Sequence, residues 1–171
     1  MNRQTTLKAL TTALAIAAVA HSTTVLLSAA SATASMPVSA TVANNCTITT
    51  NPVAFGSYDP IVAQASADLD ATGAVVIACT KGAVTTLGLD TGANVSAGAR
   101  RLASSGNFLT YELYQDSSRS TVWGNSGAAL FNSGTSPSKD ARTFPVYGRV
   151  TGGQDVTAGS YTDTVVATVN F

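Results

Sequence analysis

The chain has 171 residues, with nine Lys+Arg against nine Asp+Glu, 45% hydrophobic residues and only 11% charged ones. So little charge, with no basic run, excludes a phosphate-gripping surface for nucleic acid. The abundance of Val, Thr, Ala and Gly excludes a disordered tail and favours strands joined by small-residue loops.

The first 34 residues read as a removable export signal. Arg3 and Lys8 give the positive start, Leu7 to Ala20 is apolar, and Ala30-Ser31-Ala32 and Ala32-Thr33-Ala34 offer small residues for cleavage. A retained membrane anchor is the other reading, but His21 to Thr24 breaks an apolar run already too short to span a bilayer. Cleavage leaves about 137 residues, the size of one domain. The leader takes two basic residues and the only histidine with it. What remains is weakly acidic and cannot build Ser-His-Asp or Cys-His catalysis.

The expected organisation is a leader over 1–34, a free N-terminal segment over 35–44 and a β-domain over 45–171. In the segment, Met36, Val38, Ala40 and Val42 fall on one face of an extended strand, and Pro37, Ser39 and Thr41 on the other. An apolar-faced strand at a free end can fill a groove in its own domain or in a neighbour's. Cys46 and Cys79 follow, and two cysteines in an exported chain most often pair. Their spacing fits no zinc pattern.

Asp68-Leu69-Asp70-Ala71-Thr72-Gly73 copies the start of a calcium loop, but the twelfth position is Cys79 and a strand follows where a helix should; a solvated loop is the better reading. Val75, Ile77 and Cys79 alternate with Ala74, Val76 and Ala78, a strand apolar on both faces and hence central. A Lys81-Gly82 turn and a second strand over Val84–Leu89 predict a hairpin. The stretches Gly92–Asn107 and Ser117–Asp140 read as long loops, with a strand piece at Ala129-Leu130-Phe131 and with Arg100-Arg101 as a solvated pair. Leu109, Tyr111 and Leu113 mark a half-buried strand, and Phe144, Val146, Gly148 and Val150 another. The last run has the cleanest period of two, with Tyr161, Val165, Ala167, Val169 and Phe171 on one side. It reads either as the final strand of a complete sandwich or as one left with an open edge, which natural proteins cover. The fold class is all-β, most simply a sandwich.

Seven motifs occur in order: Asn45-Cys46-Thr47-Ile48, Phe55-Gly56-Ser57-Tyr58-Asp59, Ala78-Cys79-Thr80, Tyr111-Glu112-Leu113-Tyr114 with Asp116, Trp123-Gly124, Val146-Tyr147-Gly148-Arg149, and Gly159-Ser160-Tyr161-Thr162-Asp163-Thr164. Together they resemble the spore coat protein U domain family, which includes the Csu-type pilins of archaic chaperone–usher systems. The resemblance implies an incomplete immunoglobulin-like β-sandwich that lacks its final strand. A periplasmic chaperone lends that strand, and an outer-membrane usher exchanges it for the N-terminal strand of the next subunit. By position it makes Met36, Val38, Ala40 and Val42 the donor residues and Cys46–Cys79 the family's disulfide. The strand bearing Tyr161, Val165, Ala167, Val169 and Phe171 would flank the acceptor groove.

The function so implied is a structural, non-enzymatic subunit of a surface fibre for adhesion or biofilm formation. It would be exported through the periplasm and partnered by sibling subunits, chaperone and usher. No cofactor, metal, nucleic acid or small-molecule substrate is expected. The alternative is a secreted monomeric carbohydrate-binding or coat sandwich, with Trp123, Tyr58, Tyr111, Tyr114 and Tyr147 as its platform; aromatics in a small sandwich are more often core. The triplets Asn45-Cys46-Thr47 and Asn94-Val95-Ser96 match a glycosylation pattern that has no weight in the bacterial setting the resemblance implies.

Overall fold

A computed structural model describes residues 28–171, so most of the expected leader lies outside the described residues. The chain divides into two units, Met1–Ser39 and Ala40–Phe171. In the first, residues 28–39 form no regular element and are exposed throughout. The second unit holds eight strands: β1 (Cys46–Asn51), β2 (Leu69–Cys79), β3 (Val84–Leu89), β4 (Arg100–Ser104), β5 (Asn107–Tyr114), β6 (Phe131–Thr135), β7 (Arg142–Val150) and β8 (Ala167–Asn170). A single 3-10 turn, Gly127–Ala129, precedes β6. The strands form a five-stranded sheet, β1-β2-β7-β5-β4, and a three-stranded sheet, β6-β3-β8. Every pairing is antiparallel.

The two-faced apolar pattern of β2 has its cause in this order, because β2 lies inside the larger sheet between β1 and β7. Val75, Ile77 and Cys79 turn inward and are buried to within 4% exposure. From β5 come Leu109, Tyr111 and Leu113, and from β7 Val146 and Val150. Leu87 and Leu89 answer from β3. Trp123 is wholly buried between the sheets, donating its indole N–H to the Leu87 carbonyl at 3.0 Å and stacking on Phe131 at 4.8 Å. Cys46 and Cys79 are bonded and opposite each other in the β1–β2 ladder. Closing a loop of this separation stabilises the fold by roughly 3–4 kcal/mol.

Four local expectations are corrected. The strand over Val84–Leu89 forms but makes no hairpin with β2. Both edges of β2 are already occupied, so the turn at Lys81-Gly82 carries the chain across to the other sheet. The expected loop Gly92–Asn107 contains β4, which pairs with β5 through a tight turn at Ser105 and Gly106. Both turn residues have positive φ (45° and 85°), the geometry that matches strand twist in a two-residue hairpin. Ala129 belongs to the 3-10 turn rather than to a strand, and β6 begins at Phe131. Finally, the run from Tyr161 to Phe171 is regular only over Ala167–Asn170. The preceding residues are held by isolated backbone bonds and side chains: Thr162 exchanges backbone bonds with Ala103 of β4 (2.9 and 3.1 Å), the Thr164 carbonyl accepts from the Ala93 N–H (3.0 Å), Asp90 Oδ1 accepts from the Val166 N–H (2.9 Å), and Asn94 Nδ2 donates to the Thr162 carbonyl (3.2 Å).

Arg100 overturns the solvated-pair reading. It is 3% exposed, pairs with Glu112, and donates to the carbonyls of Leu89 (3.0 Å), Asp90 (2.6 Å) and Trp123 (2.8 Å). A residue of one sheet thereby holds the end of β3 in the other. Arg101 stacks on Phe108, 3.8 Å from the ring centre.

Candidate functional site

β8 is an edge strand, and among the described residues nothing pairs with its second side. Its register against β3 sets Thr168 opposite Gly88 and Asn170 opposite Thr86. The Val166 carbonyl accepts from the Asp90 N–H at 3.1 Å, so residues 166, 168 and 170 aim their backbone groups at β3 and its extension. Backbone direction alternates along an antiparallel strand. The N–H and C=O groups of Val165, Ala167, Val169 and Phe171 therefore face the uncovered side.

The odd-numbered residues from 161 to 169 turn their side chains inward. Tyr161, Asp163, Val165, Ala167 and Val169 are all half-buried, while Thr162, Thr164, Val166, Thr168 and Asn170 are exposed. On the opposite sheet the inward row is almost completely covered, with Val75 and Ile77 at 1% and Leu113 at 4%. A core-facing row that stays half-covered is a row short of one neighbour. A cleft of about 280 Å³ opens beside it, between Asn51 to Phe55 on one side and Asp163 to Ala167 on the other, with Val75, Leu102 and Leu113 at its base. Two glycines let its first wall lie close. A Cβ at Gly148 would stand 2.6 Å from the Val53 side chain, and one at Gly73 would stand 2.7 Å from the Asn51 carbonyl.

One end of this cleft is polar. Asp163 accepts from the Tyr111 hydroxyl (2.6 Å) through Oδ2, and from the Asn94 N–H (3.1 Å) and side-chain amide (3.0 Å) through Oδ1. Burial, and after it the bond to Asp163, raises the Tyr111 hydroxyl well above the usual tyrosine range, so it remains a donor. Asp163 was not among the expected site residues, and Tyr111 was expected only as part of an aromatic platform. Position parity is the signal that could have found Asp163, since it falls in the same period-two row as Val165.

The other expected residues are placed as follows. Met36, Val38 and Val42 are 85%, 89% and 82% exposed, and Ala40 is exposed as well. Phe171 is 56% exposed. Just after the segment, Asn45 is fixed through its N–H to Thr80 Oγ1 (3.0 Å). Of the aromatic candidates, Trp123 and Tyr111 are core. The Tyr58 hydroxyl accepts from the Gln154 N–H (2.8 Å). It lines a second cleft of about 770 Å³ together with Ile61, Leu109, Val156 and Tyr161. The stretch from Asp68 to Gly73 is not the solvated loop expected, because β2 already begins at Leu69. Asp70 lies within β2 and receives Arg149 on both oxygens (2.8 and 2.9 Å), and Arg149 also meets Asp68 at 3.2 Å.

Comparison with known proteins adds three findings. The model of the Spore Coat Protein U domain family matches residues 32–168. A relative from Myxococcus xanthus, "Protein U", is 38% identical over 158 residues, covering 84% of this chain and 87% of its own. A chain in the crystal structure of the CsuC–CsuE chaperone–tip adhesion subunit pre-assembly complex, from archaic chaperone–usher Csu pili of Acinetobacter baumannii, is similar with a TM-score of 0.55 and 26% identity. That likeness covers 77% of this chain and 41% of the solved one.

Proposed function

The chain belongs to the spore coat protein U domain family, and on that footing we propose that it is a structural subunit of a chaperone–usher surface fibre, polymerised by donor-strand exchange. The observation that carries the reading is the pairing of a vacancy with something shaped to fill it. β8 offers a free edge over a half-covered apolar row. Met36, Val38, Ala40 and Val42 form an exposed alternating segment. Seating the segment of one copy in the groove of the next resolves both exposures at once.

In this reading residues 1–34 are removed on export, 35–44 act as donor, and 45–171 form the acceptor body clamped by Cys46–Cys79. Each fully buried donor valine contributes roughly 1.5–3 kcal/mol, and Ala40 less. The free N–H and C=O groups along Val165 to Phe171 add a strand ladder. The contact joins two different patches and is therefore heterologous, which generates open filaments rather than closed rings. Before assembly the same edge needs a temporary cover, the task assigned here to a periplasmic chaperone and then an outer-membrane usher. The destination is the cell surface, with adhesion or biofilm formation as the role and no catalysis.

Size-exclusion chromatography of the processed, refolded protein tests the reading. Oligomers that survive mild denaturant are expected. A single sharp monomer that binds glycan would support the secreted carbohydrate-binding module instead.

A further inference from the structure

Resting on the donor-strand reading, we infer a specific register for the contact with a second copy of this chain. The donor runs antiparallel to β8, Met36 faces Phe171, Val38 faces Val169, Ala40 faces Ala167 and Val42 faces Val165, and the Asn44 amide meets the Asp163 carboxylate.

Both strands carry the same message in opposite directions. Read backward from Phe171, the period-two row of the acceptor is apolar at 171 (exposed in the free chain), 169, 167 and 165, then turns polar at Asp163. Read forward, the donor face is apolar at 36, 38, 40 and 42, then turns polar at Asn44. Four apolar positions followed by one polar position match only when the strands run antiparallel in this register. A two-residue slip in one direction sets Val42 against the Asp163 carboxylate. A slip in the other sets Asn44 against Val165. Register is strongly specified wherever one face is buried, and both slips bring a polar group against an apolar one. Asp163 is suited to receive the amide: it lines the cleft, and its carboxylate accepts on both oxygens with capacity to spare. Asn44 is exposed in the free chain and so can reach it.

Pro37 selects the same direction. In an antiparallel ladder the inward donor residues are the ones that exchange bonds with Val165, Ala167, Val169 and Phe171, so the nitrogen of Pro37 points away from β8. In a parallel ladder with Met36 beside Val165, the Val165 carbonyl would need the N–H of residue 37, which proline lacks. The parallel arrangement would also leave Asp163 facing Ala34.

The register is read by co-expressing two copies of the full chain, one bearing Ala40→Cys and the other a single cysteine at 165, 167 or 169. Cross-linked peptides from the isolated polymers are then identified by mass spectrometry. Directly bonded antiparallel partners sit about 5.5 Å apart at Cα, within disulfide reach, whereas positions two residues away lie at roughly 7–8 Å. Ala40→Cys is expected to join Ala167→Cys at a yield well above the other two pairs. A dominant bond to Val165→Cys or Val169→Cys overturns the register yet keeps the donor reading. No cross-link at any of the three overturns both. A second arm uses charge: Asn44→Asp sets like charges opposite each other and is expected to speed polymer dissociation about three- to fivefold. Asp163→Asn is expected to restore it. An unchanged rate with Asn44→Asp overturns the polar end of the register.

Discussion

At Arg100 a guanidinium sits 3% exposed, donating to Glu112 and to three backbone carbonyls. Removing a buried charge that is fully bonded leaves its partners without hydrogen bonds, at a typical loss of about 3–5 kcal/mol. Arg100→Met should therefore destabilise the fold by that amount in chemical denaturation. Arg100→Lys should recover little, because one ammonium cannot span the positions of a planar fork; a Lys variant near wild-type stability would show that charge alone matters. The exposed pair on the outer face behaves differently. The Arg149 bond, aided by the charge of Arg119, lowers the Asp70 carboxyl below its ordinary value of 3.8. A lowered carboxyl stabilises the fold fully above that value, and the contribution is lost as the pH falls through the folded-state pKa. Asp70→Asn should cost less than about 1 kcal/mol at pH 7. Denaturation curves of mutant and wild type should converge in acid, and a gap that persists unchanged below about pH 2 would contradict the linkage.

Among the elements, the proposed function rests on β8 and the 36–42 segment, and the face each residue presents should be measurable. Val42→Asp puts a carboxylate into the groove, whereas Thr41→Asp leaves it in solvent. The former should weaken polymers strongly in a denaturant series and the latter hardly at all; equal effects would place the segment in another register. Elements were legible where periodicity was undisturbed. β2 announced its central place through apolar residues on both faces, and β5 and β7 through clean alternation. β4 was hidden because it opens on Arg100-Arg101, which looks like a surface pair until Glu112 and the carbonyls at the end of β3 are brought around it in space. The crossing from β2 to β3 was hidden for a related reason: a short turn with glycine looks the same whether the next strand pairs or changes sheet. At the candidate site, the apolar row from Val165 to Phe171 was readable, but Asp163 broke its hydropathy and concealed its membership. Its inward position follows from Tyr111 and Asn94, residues far away in sequence.

For the whole molecule, the issue is what completes an edge that its own described strands leave uncovered. In the proposed contact, burial of Met36, Val38 and Val42 would supply roughly 4.5–9 kcal/mol before association costs. Those costs are themselves at least about 4 kcal/mol. Apolar anchors alone thus give a marginal contact, and firm polymers need the backbone ladder along Val165 to Phe171 as well. That division of labour predicts that the segment is required for polymers but not for the folded body, whose core residues lie between β1 and β8. Analytical ultracentrifugation of the processed protein beside a variant lacking Met36–Ala43 tests this most directly. The account predicts that the deletion leaves a folded acceptor, still bound by its chaperone, and removes every larger species. Polymers of undiminished size after the deletion would contradict it.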